Sequence, residues 1–170
     1  HSVVRRQRQM CIRDSKETDE FYYWFRVKKE AQIIVKEQNY EKGTSYIESK
    51  FKNIKKPNPK IIFDLANFYK NSKNYELAID YYSRLISSLE DTSVIKSDIL
   101  YRRGGSYERL GNYEKSDEDL LHALRIRPDD AYVLNYLAYS WLERDYKIDE
   151  AMEMLKICLL YTSDAADERQ

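Results

Sequence analysis

Aromatic and small residues return along this chain at nearly constant spacing, and this repetition limits the folds open to it. The clearest copy has Leu100, Gly104, Tyr107, Gly111, Tyr113, Ser116, Leu120, Ala123 and Pro128. The copy before it has Leu65, Ala66, Tyr69, Tyr75, Ala78, Tyr82 and Leu85, and the copy after it begins 34 residues on with Leu134, Leu137, Ala138 and Trp141. A unit of this length favours stacked helical hairpins, because each hairpin buries its apolar face only against a neighbour.

Small residues recur where two helices of such a hairpin must approach each other closely. In the first helix these are Ala31, Ala66, Gly104 and Ala138, and in the second they are Ala78 and Ala123. Large apolar and aromatic residues alternate with them and fill the remaining space. The pattern therefore predicts the packing register as well as the helices.

On these residues the chain resembles the tetratricopeptide repeat family, a series of helix–turn–helix units stacked into a solenoid. The resemblance implies an all-α fold, an α-solenoid with a long concave surface that binds protein partners. The stretch Ala131–Leu155 is more specifically similar to tetratricopeptide proteins of proteobacteria. Some of those lie in the periplasm or at the cell envelope. The compartment of this chain stays open, with the cytoplasm as the alternative.

The hydrophobic spacing and the turn residues predict the positions of eight helices. They span residues 21–38, 40–53, 60–72, 75–89, 93–110, 113–126, 131–144 and 148–157. The repeats then cover 24–58 (a degenerate copy), 59–96, 97–130 and 131–157 (a partial copy). Lys55–Pro59 should form a non-helical connection between the second and third helices, since proline lacks an amide donor. Asp129 or Asp130 can cap the seventh helix.

The two ends are predicted not to be native protein. Back-translated codons for Arg5–Ser15 form the opposite DNA strand of codons for Cys158–Asp167. Two unrelated protein segments have no reason to be complementary in this way, and both resemble a translated sequencing adapter. Residues 1–15 and 158–170 are therefore set aside as non-native, and residues 16–157 are taken as a window from a longer bacterial protein, a metagenomic fragment.

The composition of this window excludes several classes of protein. Both cysteines, Cys11 and Cys158, fall in the set-aside ends, so the window has no thiol for a disulfide, a zinc site or a nucleophile. The ends carry five of the 29 basic and four of the 29 acidic residues, which leaves a net charge of −1. Near neutrality argues against a general polyanion binder. No apolar run approaches the ~18 residues of a membrane span.

Each residue that could take part in catalysis, metal binding or phosphate binding is better explained by a structural role. His122 is the only histidine in the window of residues 16–157, so a solvent-facing role is favoured over a metal or acid–base role. Gly104-Gly105 lacks the context of a phosphate-binding loop, and Gly104 occupies a close-packing position. The acidic pairs 117/119 and 129/130 are expected on an outer helix face and at a helix cap. We therefore predict no enzyme, no catalytic residue, no metal and no cofactor.

A basic cluster is the one feature that could contact nucleic acid or anionic lipid. It consists of Lys50, Lys52, Lys55, Lys56 and Lys60. Glu48 and the overall neutrality dilute it, and lysine-rich linkers are common. A nucleic-acid partner is therefore the less favoured reading.

The family resemblance places the partner-binding groove on the first helix of each repeat. The implied groove residues are Lys60, Phe63, Asn67, Lys70, Tyr101, Glu108, Arg109, Tyr132, Asn135 and Tyr139, with Asn71, Asp98, Gly105, Leu142 and Glu143 at the remaining positions. Some family members grip a C-terminal carboxylate with lysine and asparagine here. Phe63 stands where that lysine would be, so a groove of aromatic and amide groups for a peptide or helix is expected instead. Some of its tyrosines could alternatively pack against an adjoining repeat.

The sequence thus predicts a non-catalytic scaffold that binds a peptide or helix of a protein partner. Two alternatives stay open: a regulatory or substrate-recruiting segment of a larger enzyme, and an RNA-associated helical repeat. No small-molecule substrate is expected. The identity of the partner, the oligomeric state and the total number of repeats are not encoded in these residues.

Overall fold

The computed structural model describes the backbone of residues 2–167 and the side chains of residues 20–159. Within this part the chain forms helices and short connections, with no strand. The helices are α1 (Ser2–Glu37), α2 (Tyr40–Phe51), α3 (Pro59–Asn71), α4 (Tyr75–Ile86), α5 (Val94–Arg109), α6 (Tyr113–Ile126), α7 (Ala131–Glu143) and α8 (Ile148–Asp167). The all-α prediction is confirmed. The predicted bounds are close, except that α1 begins and α8 ends well beyond them, and α4 ends at Ile86 rather than at residue 89.

Side-chain caps explain why most of the helices begin where they do. Asn39, Asn58, Asn74 and Asn112 each accept a hydrogen bond from the backbone amide three residues on, at the starts of α2, α3, α4 and α6. Asp130 accepts from the amides of Tyr132 and Val133 at the start of α7. Such caps satisfy amides that have no partner within the helix. The prediction of an Asp cap on the seventh helix is confirmed.

The chain divides into two compact units, residues 1–73 and 74–170. In the first, α1 buries Trp24, Val27 and Ala31. Gly43 of α2 permits a close approach to α1, since a Cβ there would lie 2.4 Å from Val35 Cγ2 and 3.1 Å from the Ala31 carbonyl oxygen. Even an alanine at this position would therefore not fit without movement of its neighbours.

Polar contacts also join the helices of the first unit. Lys28 Nζ of α1 donates to Asp64 Oδ2 of α3 at 2.9 Å, and both side chains are largely buried. The Tyr69 hydroxyl of α3 donates to Glu48 Oε1 of α2 at 2.8 Å. These contacts fix the three helices of the unit relative to one another.

In the second unit a continuous apolar core runs from α5 to α8. Its buried members are Leu100, Leu120, Ala123, Val133, Leu137, Ala138, Trp141 and Ala151. Gly104 lies where α5 meets α6, and a Cβ there would be 3.1 Å from Leu120 Cγ and 3.3 Å from the Ser116 carbonyl oxygen. The close-packing role predicted for Gly104 is confirmed.

Removal of the terminal segments should leave the stability of the fold nearly unchanged. Apart from Cys158 and Leu159, the side chains of residues 1–15 and 158–170 lie outside the described part, so their predicted non-native origin stays a prediction. Leu159 is 69% exposed, and Cys158 Sγ donates to the Ala131 carbonyl oxygen at 3.6 Å. A chain cut to residues 16–157 should melt within a few degrees of the full chain by circular dichroism. Loss of the helical signal on trimming would contradict the prediction.

Candidate partner-binding cleft

An open cleft of about 510 Å³ lies in the second unit beside α5 and α7. Its lining residues are Glu108, Arg109, Tyr113, Asn135, Tyr136, Tyr139, Ser140, Glu143 and Arg144. Five of these stand at groove positions implied by the sequence: Glu108 and Arg109 on α5, and Asn135, Tyr139 and Glu143 on α7. The two first helices of consecutive repeats thus contribute together to one concavity.

Tyr136 forms part of this cleft and was not among the predicted groove residues. Its ring meets Tyr101 edge to face, with the ring centroids 5.6 Å apart, and its hydroxyl donates to Glu108 Oε2. Burial, followed by this hydrogen bond, raises the pKa of Tyr136, so the phenol keeps the proton that it donates. Gly105 leaves room for the ring, since a Cβ there would lie 3.3 Å from the Tyr136 hydroxyl.

Tyr136 thereby changes the role of two predicted groove residues. Tyr101 is half-buried and packs against the apolar core. Glu108 is half-buried and accepts the tyrosine hydroxyl. Glu108 therefore belongs to the wall of the cleft, and Tyr101 supports that wall by packing on Tyr136. The repeat spacing gave no signal for this contact, because the residue one repeat after Gly105 is Tyr139 and not Tyr136.

The groups left open to a partner are on the rim of the cleft. Tyr139 is 55% exposed, and Asn135, Arg109 and Glu143 are exposed as well. Within residues 20–159, Arg109 and Glu143 form no ion pair and the amide of Asn135 has no hydrogen-bond partner. Tyr132 is more exposed still, at 79%, at the start of α7. The rim thus offers an aromatic face, an amide and one charge of each sign.

Two of the remaining predicted groove residues have structural contacts, since Asp98 pairs with Arg102 and Leu142 packs against the apolar core. The others lie on α3 in the first unit. Lys60 is exposed, and its Nζ lies 4.8 Å from the centroid of the Phe21 ring. Phe63, Asn67 and Lys70 are half-buried, and the amide of Asn67 donates to the Phe63 carbonyl oxygen at 3.0 Å. An amide held by its own helix is less available for a ligand. Their role in binding stays a prediction.

The expectation of a solvated face for Asp117 and Asp119 is wrong. Asp119 is 4% exposed, and its two oxygens accept from Arg103 at 2.7 and 2.6 Å. Arg103 also donates to Ser83 Oγ at 2.9 Å, so one guanidinium joins α4, α5 and α6. Asp117 accepts from Arg144 Nη2 at 2.8 Å. These carboxylates are occupied by structural ion pairs.

His122 lies beside a small pocket, and three lysines of the basic cluster face solvent. His122 is half-buried beside a small pocket of about 310 Å³ that it shares with Asp91, Thr92, Arg125 and Ile126. Lys52, Lys55 and Lys56 are exposed. Among the described residues no group of three or more potential ligands could hold a metal ion, and no helix has the length and apolar character needed to cross a membrane.

Comparison with known proteins agrees with this architecture. The family model of the tetratricopeptide repeat matches residues 59–88 and 97–130. A TPR repeat-containing protein of Methanocaldococcus jannaschii is 40% identical over 80 residues, which is 47% of this chain. The chain spans only 13% of the length of that archaeal relative. The proteobacterial affinity stays a prediction.

Solved structures show the same fold at low sequence identity. A crystal structure of MamA matches with a TM-score of 0.64 and 17% identity, covering 83% of this chain and 79% of MamA. The structure of BtubC from P. vanneervenii matches with a TM-score of 0.63 and 18% identity, covering 79% of this chain and 60% of BtubC. Residues 59–88 and 97–130 are therefore tetratricopeptide repeats, and the chain has the α-solenoid fold that such repeats build.

Proposed function

We propose that this chain is a non-catalytic interaction scaffold, which binds a peptide or helix of a protein partner in the cleft beside α5 and α7. One observation carries the proposal: five implied groove residues from two consecutive repeats line one open cleft of about 510 Å³. The tetratricopeptide match supports a role in protein interaction.

The chemistry of the rim suits a polypeptide ligand. The amide of Asn135 can donate to and accept from a peptide backbone at once, since it carries both kinds of group. The exposed ring of Tyr139 offers a large, rigid contact area with a polar tip. Beneath them Tyr136 is held by Glu108 and Tyr101, so the wall is formed before a ligand arrives. A preformed wall lowers the ordering cost of binding.

The charges of the rim favour a ligand of mixed charge. Arg109 ends α5 and Glu143 ends α7, and both side chains are exposed. An acidic and a basic residue of the partner could form ion pairs with Arg109 and Glu143, and these pairs would set the direction of the bound segment. Rim charges of this kind contribute more to specificity and association rate than to affinity.

A double variant at the rim tests the proposal. Peptides would first be selected from a displayed random library on the full chain, and their binding measured by fluorescence anisotropy. We expect Asn135→Ala/Tyr139→Ala to weaken binding at least about tenfold, because a few aromatic and polar anchors carry most of the affinity of an interface. The circular dichroism spectrum should not change, since both side chains point to solvent.

Two controls separate the cleft from other surfaces. Glu118→Leu changes an exposed residue of α6 that does not line the cleft, and it should leave peptide binding unchanged. Neutralising Lys52, Lys55 and Lys56 should also have little effect. Binding that survives the rim variant but is lost with those lysines would overturn the proposal in favour of the basic cluster.

A further inference from the structure

A second open cavity, of about 530 Å³, lies in the first unit and has a different chemistry. It is lined by Lys29, Gln32, Ile33, Val35 and Lys36 of α1, Tyr40 of α2, and Phe68 and Asn71 of α3. Val35 is half-buried beside Gly43, and Phe68 is only 8% exposed. The cavity therefore combines apolar side chains with two lysines from α1.

The lysines of this cavity are available to an acidic partner. Lys29 and Lys36 are exposed, and neither forms an ion pair with any described residue. Ile33, which lies between them, is 53% exposed. Residues 20–73 hold 12 basic and six acidic side chains, a net charge of +6. An apolar cavity in a basic unit fits an apolar side chain flanked by carboxylates.

Helix α8 presents that complementary pattern on the second unit. Ile148 and Met152 lie one turn apart and are 49% and 47% exposed. Asp149 and Glu153 lie one turn apart along one side of Met152 and are exposed too, and Glu153 also forms an exposed ion pair with Lys156 at 3.1 Å. Residues 74–159 hold 11 basic and 17 acidic side chains, a net charge of −6. The two units of one chain thus carry equal and opposite charge.

We propose that α8 of one copy docks into the first-unit cavity of a second copy, with Met152 in the cavity and Asp149 and Glu153 near Lys29 and Lys36. A flexible methionine adapts well to an irregular apolar cavity. Because the two surfaces differ, the contact is heterologous, and a pair of copies still has one free cavity and one free α8 for further copies. The association is independent of peptide binding in the cleft beside α5 and α7.

Charge exchange tests this contact directly in the full chain. Sedimentation velocity at low salt should show a weight-average mass that rises with protein concentration, and high salt should reduce it, because exposed charges are screened. Lys29→Glu/Lys36→Glu alone and Asp149→Lys/Glu153→Lys alone should each weaken association at least about tenfold. An equimolar mixture of the two variants should associate again, since the reversed cavity of one fits the reversed helix of the other and the unchanged helix of the first fits the unchanged cavity of the second.

Matched variants keep the test specific. Glu114→Lys/Glu118→Lys makes the same charge change on exposed positions of α6 and should associate like the unchanged chain. Met152→Ser should weaken association without any change of charge, while the helical circular dichroism signal is retained. A chain that stays monomeric at every concentration, or a mixture of reversed variants that fails to associate, overturns the proposal.

Discussion

Asp119→Ala should lower the free energy of unfolding by about 3–5 kcal/mol, the usual cost of leaving one partner of a buried ion pair alone. The side chains of Asp119 and Arg103 are 6% and 19% exposed, and two short hydrogen bonds join them. Without the carboxylate, the guanidinium would keep only Ser83 among these contacts and remain largely desolvated. Urea denaturation followed by circular dichroism measures the change.

An exposed ion pair in the same unit provides the control. Asp80 and Arg84 of α4 form a contact of 2.7 Å, with side chains 50% and 60% exposed, so Asp80→Ala should cost about 0–1 kcal/mol. Arg103→Met/Asp119→Leu removes both buried charges and should recover part of the loss, because apolar side chains need no desolvation. Equal midpoints for Asp119→Ala and Asp80→Ala would mean that Asp119 is solvated.

The repeat pattern predicted the helices because the residues that recur are those that pack between neighbouring helices. Gly104 and Gly43 occupy positions where the helices approach closely, and the structure places atoms within 3.1 Å of where their Cβ atoms would be. Helix starts followed from asparagine and aspartate caps, which act within a few residues. The end of α4 was less predictable, since neither glycine nor proline follows Ile86 and the chain turns through Ser87 and Ser88.

The candidate site was only half predictable, for a reason that Asp119 and Tyr136 share. A register assigns each residue to a face of its own helix, but burial also depends on which residue of the next helix lies opposite. Arg103 draws Asp119 into an interface that its own helix does not specify. Glu108 and Gly105 likewise hold Tyr136 against α5. The exposed rim residues Asn135 and Tyr139 needed only the register, and both line the cleft, while their role in binding stays a prediction.

Gly104→Leu should destabilise the second unit by about 1–3 kcal/mol or more, the cost of forcing extra atoms into a packed interface. Even a Cβ would lie 3.1 Å from Leu120 Cγ and 3.3 Å from both Asp119 Cβ and the Ser116 carbonyl oxygen. One of these neighbours is backbone, which cannot move aside by changing rotamer. The added side chain must therefore push α5 away from α6.

Glu118→Leu isolates this steric effect from the change in hydrophobicity. Glu118 is exposed on α6, the helix that Gly104 faces. A leucine at position 118 would therefore be exposed to solvent, and it should change the free energy of unfolding by less than about 0.5 kcal/mol. Both variants would be compared by urea denaturation. Separation of α5 from α6 would also strain the Arg103–Asp119 pair, so Gly104→Leu and Asp119→Ala should combine less than additively. Full additivity would show that α5 and α6 stay in place, and that the leucine is accommodated locally.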